Sequence, residues 1–205
     1  MKSILISIQP KWCELIASGK KTIEVRKTRP KIDVPFKVYI YCTKGKYFLY
    51  KNPNNGELFL DCNGRYRGGD YEDRFLSSKV IGEFVCDRIT EIVCWDDTKE
   101  TNIDETLTCL TYEEIEKYGN GKLLYGWHIT DVKIYDKPKE LGEFRKPCVD
   151  EYKYCQGCRY GNIIISPDEE EYALYHGGHY DAFGTECRNY ITRPSQSWCY
   201  VEELK

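Results

Sequence analysis

The chain has 205 residues, enough for one full domain with insertions, and its formal net charge of −3 excludes a globally basic nucleic-acid-binding protein. No apolar run reaches the length of a membrane span, and the apolar stretch after Met1 is too short for a secretory signal, so we expect a soluble cytoplasmic protein with no membrane partner. In that compartment the 11 cysteines favour free thiols or metal ligands over disulfides.

Strand signals dominate the chain from its beginning to its end. Strands are predicted where β-branched or aromatic residues lie between turn formers, over residues 3–8, 22–26, 36–41, 79–89, 123–135 and 198–202. Pro10 and Gly19 bound a first helix over 10–18, and the capping-box residues Thr111 and Glu114 begin a second over 111–118. We therefore expect an α+β, mainly β fold in one domain over residues 1–205, with a loop insertion over 51–76.

The strand that follows Gly19 combines apolar and charged residues in alternation. Side chains of an extended chain point alternately to opposite faces, so Ile23 and Val25 share one face. Thr22, Glu24 and Arg26 share the other face. The pattern predicts either a binding surface or a solvated edge strand, because exposed cations also deter edge pairing.

Several sequence motifs are similar to those of a known family. Residues 6–12, Ile-Ser-Ile-Gln-Pro-x-Trp, followed by Gly-x-Lys-Thr-Ile-Glu-Val-Arg over 19–26, closely resemble the opening signature of ASCH domains. Residues 125–131 and 191–200 are similar to that family's larger, prophage-type members. The resemblance implies a PUA-like β-barrel associated with RNA, and residues 51–76 and 149–190 match it less well.

On the binding interpretation, the charged strand lines a cleft for RNA or for a single modified nucleotide. Lysine and arginine hold phosphates, the carboxylate accepts a hydrogen bond from a base or sugar hydroxyl, and an aromatic ring stacks on a base. The candidate ligand-binding residues are Trp12, Lys20, Lys21, Thr22, Glu24, Arg26, Tyr41, Lys44, Trp127 and His128.

A second interpretation makes the cleft an active site with Lys21 and Glu24 as an acid–base pair. The family includes a small amidohydrolase of N4-acetylcytidine whose Gly-x-Lys-Thr strand is similar to residues 19–22, although its catalytic threonine falls where this chain has Glu24. Other ASCH proteins resemble ribonucleases. The groups available for that reaction are Lys21, Tyr41, Lys44 and His128. A protein interaction module is the third possibility.

Cysteines cluster in a segment over 148–190 that is poor in apolar periodicity. Cys155 and Cys158 form a C-x2-C turn, and Cys148 and Cys187 complete a tetrahedral set for a structural Zn²⁺ ion. Such a loop-rich segment buries little surface, so metal binding would supply its folding free energy. The alternative ligands are His176, His179 and Cys199. A redox or deaminase site is not favoured, because no βαβ context and no H-x-E element are present.

Overall fold

A computed structural model of the protein describes residues 2–62, 74–95, 97–147 and 190–204. It confirms a mainly β fold with few helices. The strands are β1 Lys2–Ile8, β2 Ile23–Arg26, β3 Phe36–Cys42, β4 Phe48–Lys51, β5 Leu58–Asp61, β6 Val80–Ile92, β7 Cys94–Trp95, β8 Glu100–Thr101, β9 Leu124–Lys139 and β10 Trp198–Glu202. The helices are α1 Pro10–Ala17, α2 Glu105–Thr108 and α3 Tyr112–Gly119, with a 3-10 turn over Leu141–Glu143.

Six strands form the central sheet, in the order β10-β1-β3-β6-β9-β2. β1 and β3 pair in parallel, and the other neighbouring strands are antiparallel. The hairpins β4-β5 and β7-β8 form two small sheets of their own. The β-strand that contains the charged run is therefore an edge strand of the main sheet.

The sheet is not closed into the barrel that the family resemblance implies. Among the described residues, the edge strands β2 and β10 are not hydrogen-bonded to each other. Side chains span the gap instead: Trp198 Nε1 donates to Thr28 Oγ1 at 3.0 Å, and the Lys31 N–H donates to the Tyr200 hydroxyl at 2.6 Å. Closure depends on pairing between distant segments, which no local pattern indicates. We call this gap between β2 and β10 the seam.

Three apolar clusters hold the fold together. The largest packs α1 against one face of the sheet and contains Ile4, Ile6, Ile8, Cys13, Ile16, Val38, Ile40, Phe84 and Trp127 among others. The opposite face is covered by Leu5, Tyr39, Tyr41, Val80, Phe144, Ile191 and Val201. The third cluster lies beneath α3 and contains Ile23, Val25, Ile92, Ile103, Ile115 and Leu124.

The helix boundaries follow the sequence signals closely. α1 begins at Pro10, and Gly19 has a left-handed φ of +73° as expected after its end. α3 carries the predicted capping box between Thr111 and Glu114. The helix α2 was not predicted, because a four-residue helix has no periodicity to detect. The hairpin strand β5, inside the predicted loop insertion over 51–76, was also missed.

The cysteine-rich segment lies almost wholly outside the described residues. The predicted zinc ligands there are Cys148, Cys155, Cys158 and Cys187, with the rivals His176 and His179. Its flanks meet on the sheet, where Arg145 bridges Tyr190 and the Ile191 N–H donates to the Phe144 carbonyl at 2.8 Å. Within the described ranges, no group of three or more metal-binding side chains is found. The same ranges contain no helix long and apolar enough to cross a membrane.

Candidate functional site

A cavity of about 390 Å³ opens at the seam. Its walls are the end of β1, the start of α1, the strand β2 and the segment that carries α2 and α3. The lining residues are Ser7, Ile8, Gln9, Trp12, Lys21, Glu24, Val25, Arg26, Thr43, Leu110, Glu114, Tyr118 and Gln196. The cavity is therefore built where the sheet fails to close.

The alternation of β2 decides which side chains reach the cavity. All four residues of the strand are buried. Ile23 and Val25 pack into the cluster beneath α3, whereas Glu24 and Arg26 line the cavity. The strand thus places apolar side chains on one face and charged side chains on the other, as the sequence predicts.

Three charged residues, Lys21, Glu24 and Arg26, form what we call the buried ion cluster. Arg26 Nη2 lies 3.0 Å from Glu24 Oε1, and Lys21 Nζ lies 3.5 Å from Glu24 Oε2. These side chains are only 2%, 7% and 9% exposed for Lys21, Glu24 and Arg26 respectively. Arg26 Nη2 also donates to the Ser7 carbonyl at 2.7 Å, and Lys21 Nζ donates to the Thr108 carbonyl at 2.6 Å. The cluster therefore ties β2 to β1 and to α2.

Two polar atoms of this cluster have no hydrogen-bond partner among the described residues. They are Glu24 Oε2, an acceptor, and Arg26 Nε, a donor. The contact of Lys21 with Glu24 Oε2 is an ion pair without hydrogen-bonding geometry. A buried polar atom without a partner is unfavourable, and native structures contain few of them. Here an acceptor and a donor of that kind belong to two residues that line the same cavity.

The pKa of Lys21 is lowered from 10.5, chiefly because burial disfavours the charged ammonium. The Arg26 charge lowers it further, while Glu24 acts in the opposite direction. The ammonium is thereby closer to losing its proton than an exposed lysine would be, at a position that faces the cavity.

The backbone of β2 also faces the seam. Hydrogen-bonded pairs alternate along an antiparallel ladder, and the Ile129 N–H donates to the Thr22 carbonyl at 2.9 Å. The next hydrogen-bonded pair in this register is Glu24 with Trp127. The N–H and C=O of Val25 consequently point away from β9, at the strand edge that lines the cavity.

The aromatic residues proposed for stacking lie in different places. Trp12 is half-buried and lines the cavity. Trp127 is 0% exposed and packs its ring 5.8 Å from those of Phe36 and Trp198, so no face is open to a ligand. Tyr41 belongs to the apolar cluster on the opposite face of the sheet. Only Trp12 of the three reaches the cavity.

The remaining proposed residues lie outside the cavity. Lys20 and Lys44 are exposed, and Thr22 is half-buried with its N–H bonded to the Leu107 carbonyl. His128 faces away from Glu24, because it pairs with Ile23 across the ladder. Its ring nitrogens contact Arg88 Nη2 at 3.1 Å and Thr90 Oγ1 at 2.9 Å. Burial, followed by the Arg88 charge, lowers the pKa of His128.

Several cavity residues escaped the sequence analysis. They are Ser7, Ile8, Gln9, Thr43, Leu110, Glu114, Tyr118 and Gln196. Glu114 and Tyr118 are four residues apart on α3 and therefore share one helix face. That spacing could have predicted that the two side chains lie together. The others come from strand ends and loops that meet only in the folded chain.

Comparison with known proteins identifies the family. The ASCH domain model matches residues 6–153. A crystal structure of ASCH from Zymomonas mobilis is similar, with 16% identity, 85% of this chain and 94% of that chain covered, and a TM-score of 0.46. A tyrosine-to-phenylalanine variant of that protein is 18% identical, with 69% of this chain and 77% of that chain covered and a TM-score of 0.45. A serine-to-alanine variant is 16% identical, with 85% of this chain and 94% of that chain covered and a TM-score of 0.42. No curated protein matches the chain.

The family match includes the end of β1, α1 and β2, which carry the opening signature, and extends over most of the chain. It confirms the resemblance to ASCH domains that was drawn from that signature. This protein belongs to the ASCH domain family.

Proposed function

We propose that the protein binds RNA by accepting the base of one nucleotide, standard or modified, into the cavity at the seam. ASCH domains are generally linked to RNA binding. The observation that carries the proposal is that Glu24 and Arg26, which both line the cavity, each have a buried atom without a hydrogen-bond partner among the described residues. These atoms are Glu24 Oε2, which Lys21 approaches as an ion pair at 3.5 Å, and Arg26 Nε. A bound base would satisfy both atoms.

The chemistry of the wall suits the edge of a base. Glu24 Oε2 accepts a hydrogen bond from an amino or hydroxyl group, and Arg26 Nε donates to a carbonyl oxygen or ring nitrogen. Trp12 offers an aromatic surface for stacking when a base takes the place of an ammonium over its ring, where Lys11 Nζ and Lys21 Nζ lie 4.4 Å and 5.1 Å from the centroid. The volume of about 390 Å³ falls within the range of small-molecule sites. Together these groups provide an acceptor, a donor and a flat apolar surface.

The test is the affinity of short single-stranded RNA for the wild type and for Glu24→Gln, measured by fluorescence anisotropy. The substitution keeps the shape and removes the charged acceptor, so the affinity should fall about 10-fold or more. Glu14→Gln is the matched control, because Glu14 lies on α1 but does not line the cavity.

Equal losses in both variants, or none in Glu24→Gln, would contradict the proposal. Glu24→Gln also weakens the buried ion cluster, so its fold is checked by circular dichroism. A second variant, Gln196→Ala, changes the cavity wall at an exposed residue and should weaken binding without affecting the fold.

A second candidate function is hydrolysis of a nucleic-acid or acetylated-nucleoside substrate. It is favoured by the buried Lys21 ammonium, whose pKa is lowered by burial and which lies 3.5 Å from Glu24 Oε2 on the cavity wall. A neutral Lys21 would take a proton from an attacking water or a 2′-hydroxyl group, and Arg26 would stabilise the developing negative charge.

This candidate is tested by incubating the protein with N4-acetylcytidine and with short RNA and separating the products by chromatography. Turnover that Lys21→Met abolishes while RNA binding persists would support catalysis. Absence of product from both substrates at high protein concentration would contradict it.

We also propose that Cys148, Cys155, Cys158 and Cys187 hold a structural zinc ion, on the spacing of the cysteines alone. Elemental analysis of protein purified without chelator should find about one equivalent of zinc, and less than about half an equivalent would contradict the site. Cys62→Ser is the matched control, because Cys62 is exposed just after β5, is not among the proposed or alternative ligands, and should leave the zinc content unchanged.

A further inference from the structure

Exposed lysines follow or precede residues of the cavity wall in the sequence. Lys11, Lys27 and Lys44 are exposed and directly adjacent to the lining residues Trp12, Arg26 and Thr43, and the exposed Lys46 lies in the same loop as Lys44. None of them forms an ion pair within the described part of the chain. Because the whole chain has a net charge of −3, this local excess of positive charge is not a reflection of overall composition.

Two of these lysines lie over the rings of the two aromatic residues of the cavity wall. Lys11 Nζ lies 4.4 Å from the ring centroid of Trp12 on α1. Lys27 Nζ lies 4.9 Å from the ring centroid of Tyr118 on α3. In a nucleotide, a flat base is joined to a phosphate through the sugar. For both lysines the ammonium lies over the face of a ring on the cavity wall, so a cation that can hold a phosphate is in direct contact with that wall.

The other two lysines lie beside the start of α1. Thr43 lines the cavity, and its N–H donates to the Ile8 carbonyl at 2.8 Å. Gly45 approaches Pro10 so closely that an added Cβ would lie 3.3 Å from the proline Cδ. This loop therefore holds Lys44 and Lys46 on the α1 side of the mouth, while Lys27 lies on the α3 side.

Little negative charge opposes these lysines at the mouth. Glu114 is the acidic residue of the cavity wall outside the buried ion cluster, and its Oε2 accepts a hydrogen bond from the Thr111 N–H at 3.0 Å in the capping box. Together with Glu114, the charged residues that line the cavity are two cations and two carboxylates. The positive excess therefore comes from the four exposed lysines, and it favours a ligand whose negative charges lie outside the cavity.

We propose that the mouth binds the phosphodiester groups on both sides of the seated nucleotide, so that the ligand is a single-stranded RNA segment and not a free nucleoside. Lys11, Lys44 and Lys46 hold the backbone on the α1 side, and Lys27 holds it on the α3 side. A single strand is required, because a base within a duplex is stacked and paired and cannot enter the cavity. This inference rests on the function proposed above.

The experiment measures RNA affinity against salt concentration for the wild type, Lys11→Ala, Lys27→Ala and their double variant. Each phosphate contact in a single strand contributes about 0.7 to the slope of log K against log salt. Each single variant should lower the slope by about 0.7, and the double variant by about 1.4. Lys133→Ala is the matched control, because Lys133 is exposed on β9 and lies away from the cavity.

Two further measurements separate this inference from the proposed function. Glu24→Gln should lower the affinity but leave the slope unchanged. A nucleoside should bind more weakly than a five-nucleotide RNA and be insensitive to the lysine variants. Slopes that match the control, or a nucleoside that binds as tightly as the RNA, would overturn the inference even if Glu24→Gln weakens binding. Loss of the Glu24→Gln effect would instead contradict the proposed function.

Discussion

Two clusters of charged residues in this protein use similar side chains in different ways. The buried ion cluster lies at the seam, with side chains at most 9% exposed and two atoms that lack partners among the described residues. A second cluster, which we call the outer ion cluster, joins Lys37, Glu83, Tyr135 and Glu203. Lys37 Nζ lies 2.9 Å from Glu203 Oε1 and 3.7 Å from Glu83 Oε1, and the Tyr135 hydroxyl donates to Glu83 Oε2 at 2.5 Å.

The difference lies in hydrogen-bonding capacity. The carboxylates of the outer ion cluster are 22% and 31% exposed, so water completes their hydrogen bonds. The buried ion cluster is removed from water but retains a donor and an acceptor that the described residues do not satisfy. The outer ion cluster is thus satisfied by its own members and by water. The buried ion cluster joins β2 to β1 and to α2 and still retains hydrogen-bonding capacity beside the cavity.

The largest expected effect is on stability. Glu24→Ala leaves Lys21 and Arg26 buried without their carboxylate, so the free energy of unfolding should fall by about 3–5 kcal/mol. Glu83→Ala, in the outer ion cluster, should lower it by about 1 kcal/mol or less. Urea denaturation of both variants measures the difference. Similar losses would show that burial does not distinguish the clusters.

The next effect concerns the aromatic wall. Trp12→Leu keeps an apolar side chain against the core but removes the stacking surface. The free energy of RNA binding should therefore become less favourable by about 1–3 kcal/mol. Trp95→Leu is the matched control, because Trp95 is 45% exposed on β7 and lies away from the cavity. Anisotropy titrations compare them. Equal affinities for Trp12→Leu and the wild type would remove Trp12 from the site.

The smallest effect is a difference in pH dependence. Burial lowers the pKa of Lys21 from 10.5, so the folded state binds fewer protons there than the unfolded state. The wild type should therefore gain stability relative to Lys21→Met as pH rises towards 10.5. The hydrogen bond with Glu203 raises the pKa of Lys37. The contribution of Lys37 to the free energy of unfolding is therefore fully present below pH 10.5 and is lost as pH rises through the raised pKa.

Urea denaturation from about pH 7 to about pH 11 measures both lysines, with Lys37→Met as the counterpart of Lys21→Met. The two differences from the wild type should change with opposite signs. A common sign would mean that the two lysines occupy equivalent electrostatic environments, which would remove the contrast between the clusters.

Local patterns predicted the chemistry of β2 but not its surroundings. Alternation placed Glu24 and Arg26 on one face correctly, because the period of a strand is fixed by its backbone. The same reasoning could not choose the buried face of β3 or β9. Trp127 and Tyr41 were therefore assigned to a cleft that they do not reach. That choice depends on register with strands distant in sequence.

The cavity could not be predicted from the sequence either, because it depends on contacts between segments that are distant in the chain. Its wall on the α3 side depends on α2, whose Thr108 carbonyl receives the Lys21 ammonium at 2.6 Å. A four-residue helix ended by the left-handed Cys109 gives no periodic signal. The opening exists because β2 and β10 do not pair, and an absent pairing leaves no trace in composition or spacing.

The seam has a consequence for how this fold can diversify. Where two strands pair, their separation is fixed at about 4.8 Å by the backbone ladder, whatever the side chains are. Across the seam, side-chain hydrogen bonds join Trp198 and Tyr200 of β10 to the segment that follows β2, so the width there depends on side-chain length. Substitution at these two positions would widen or narrow the opening while leaving the ladder intact. The width of the seam can thus change by side-chain substitution, whereas the spacing of the paired strands cannot.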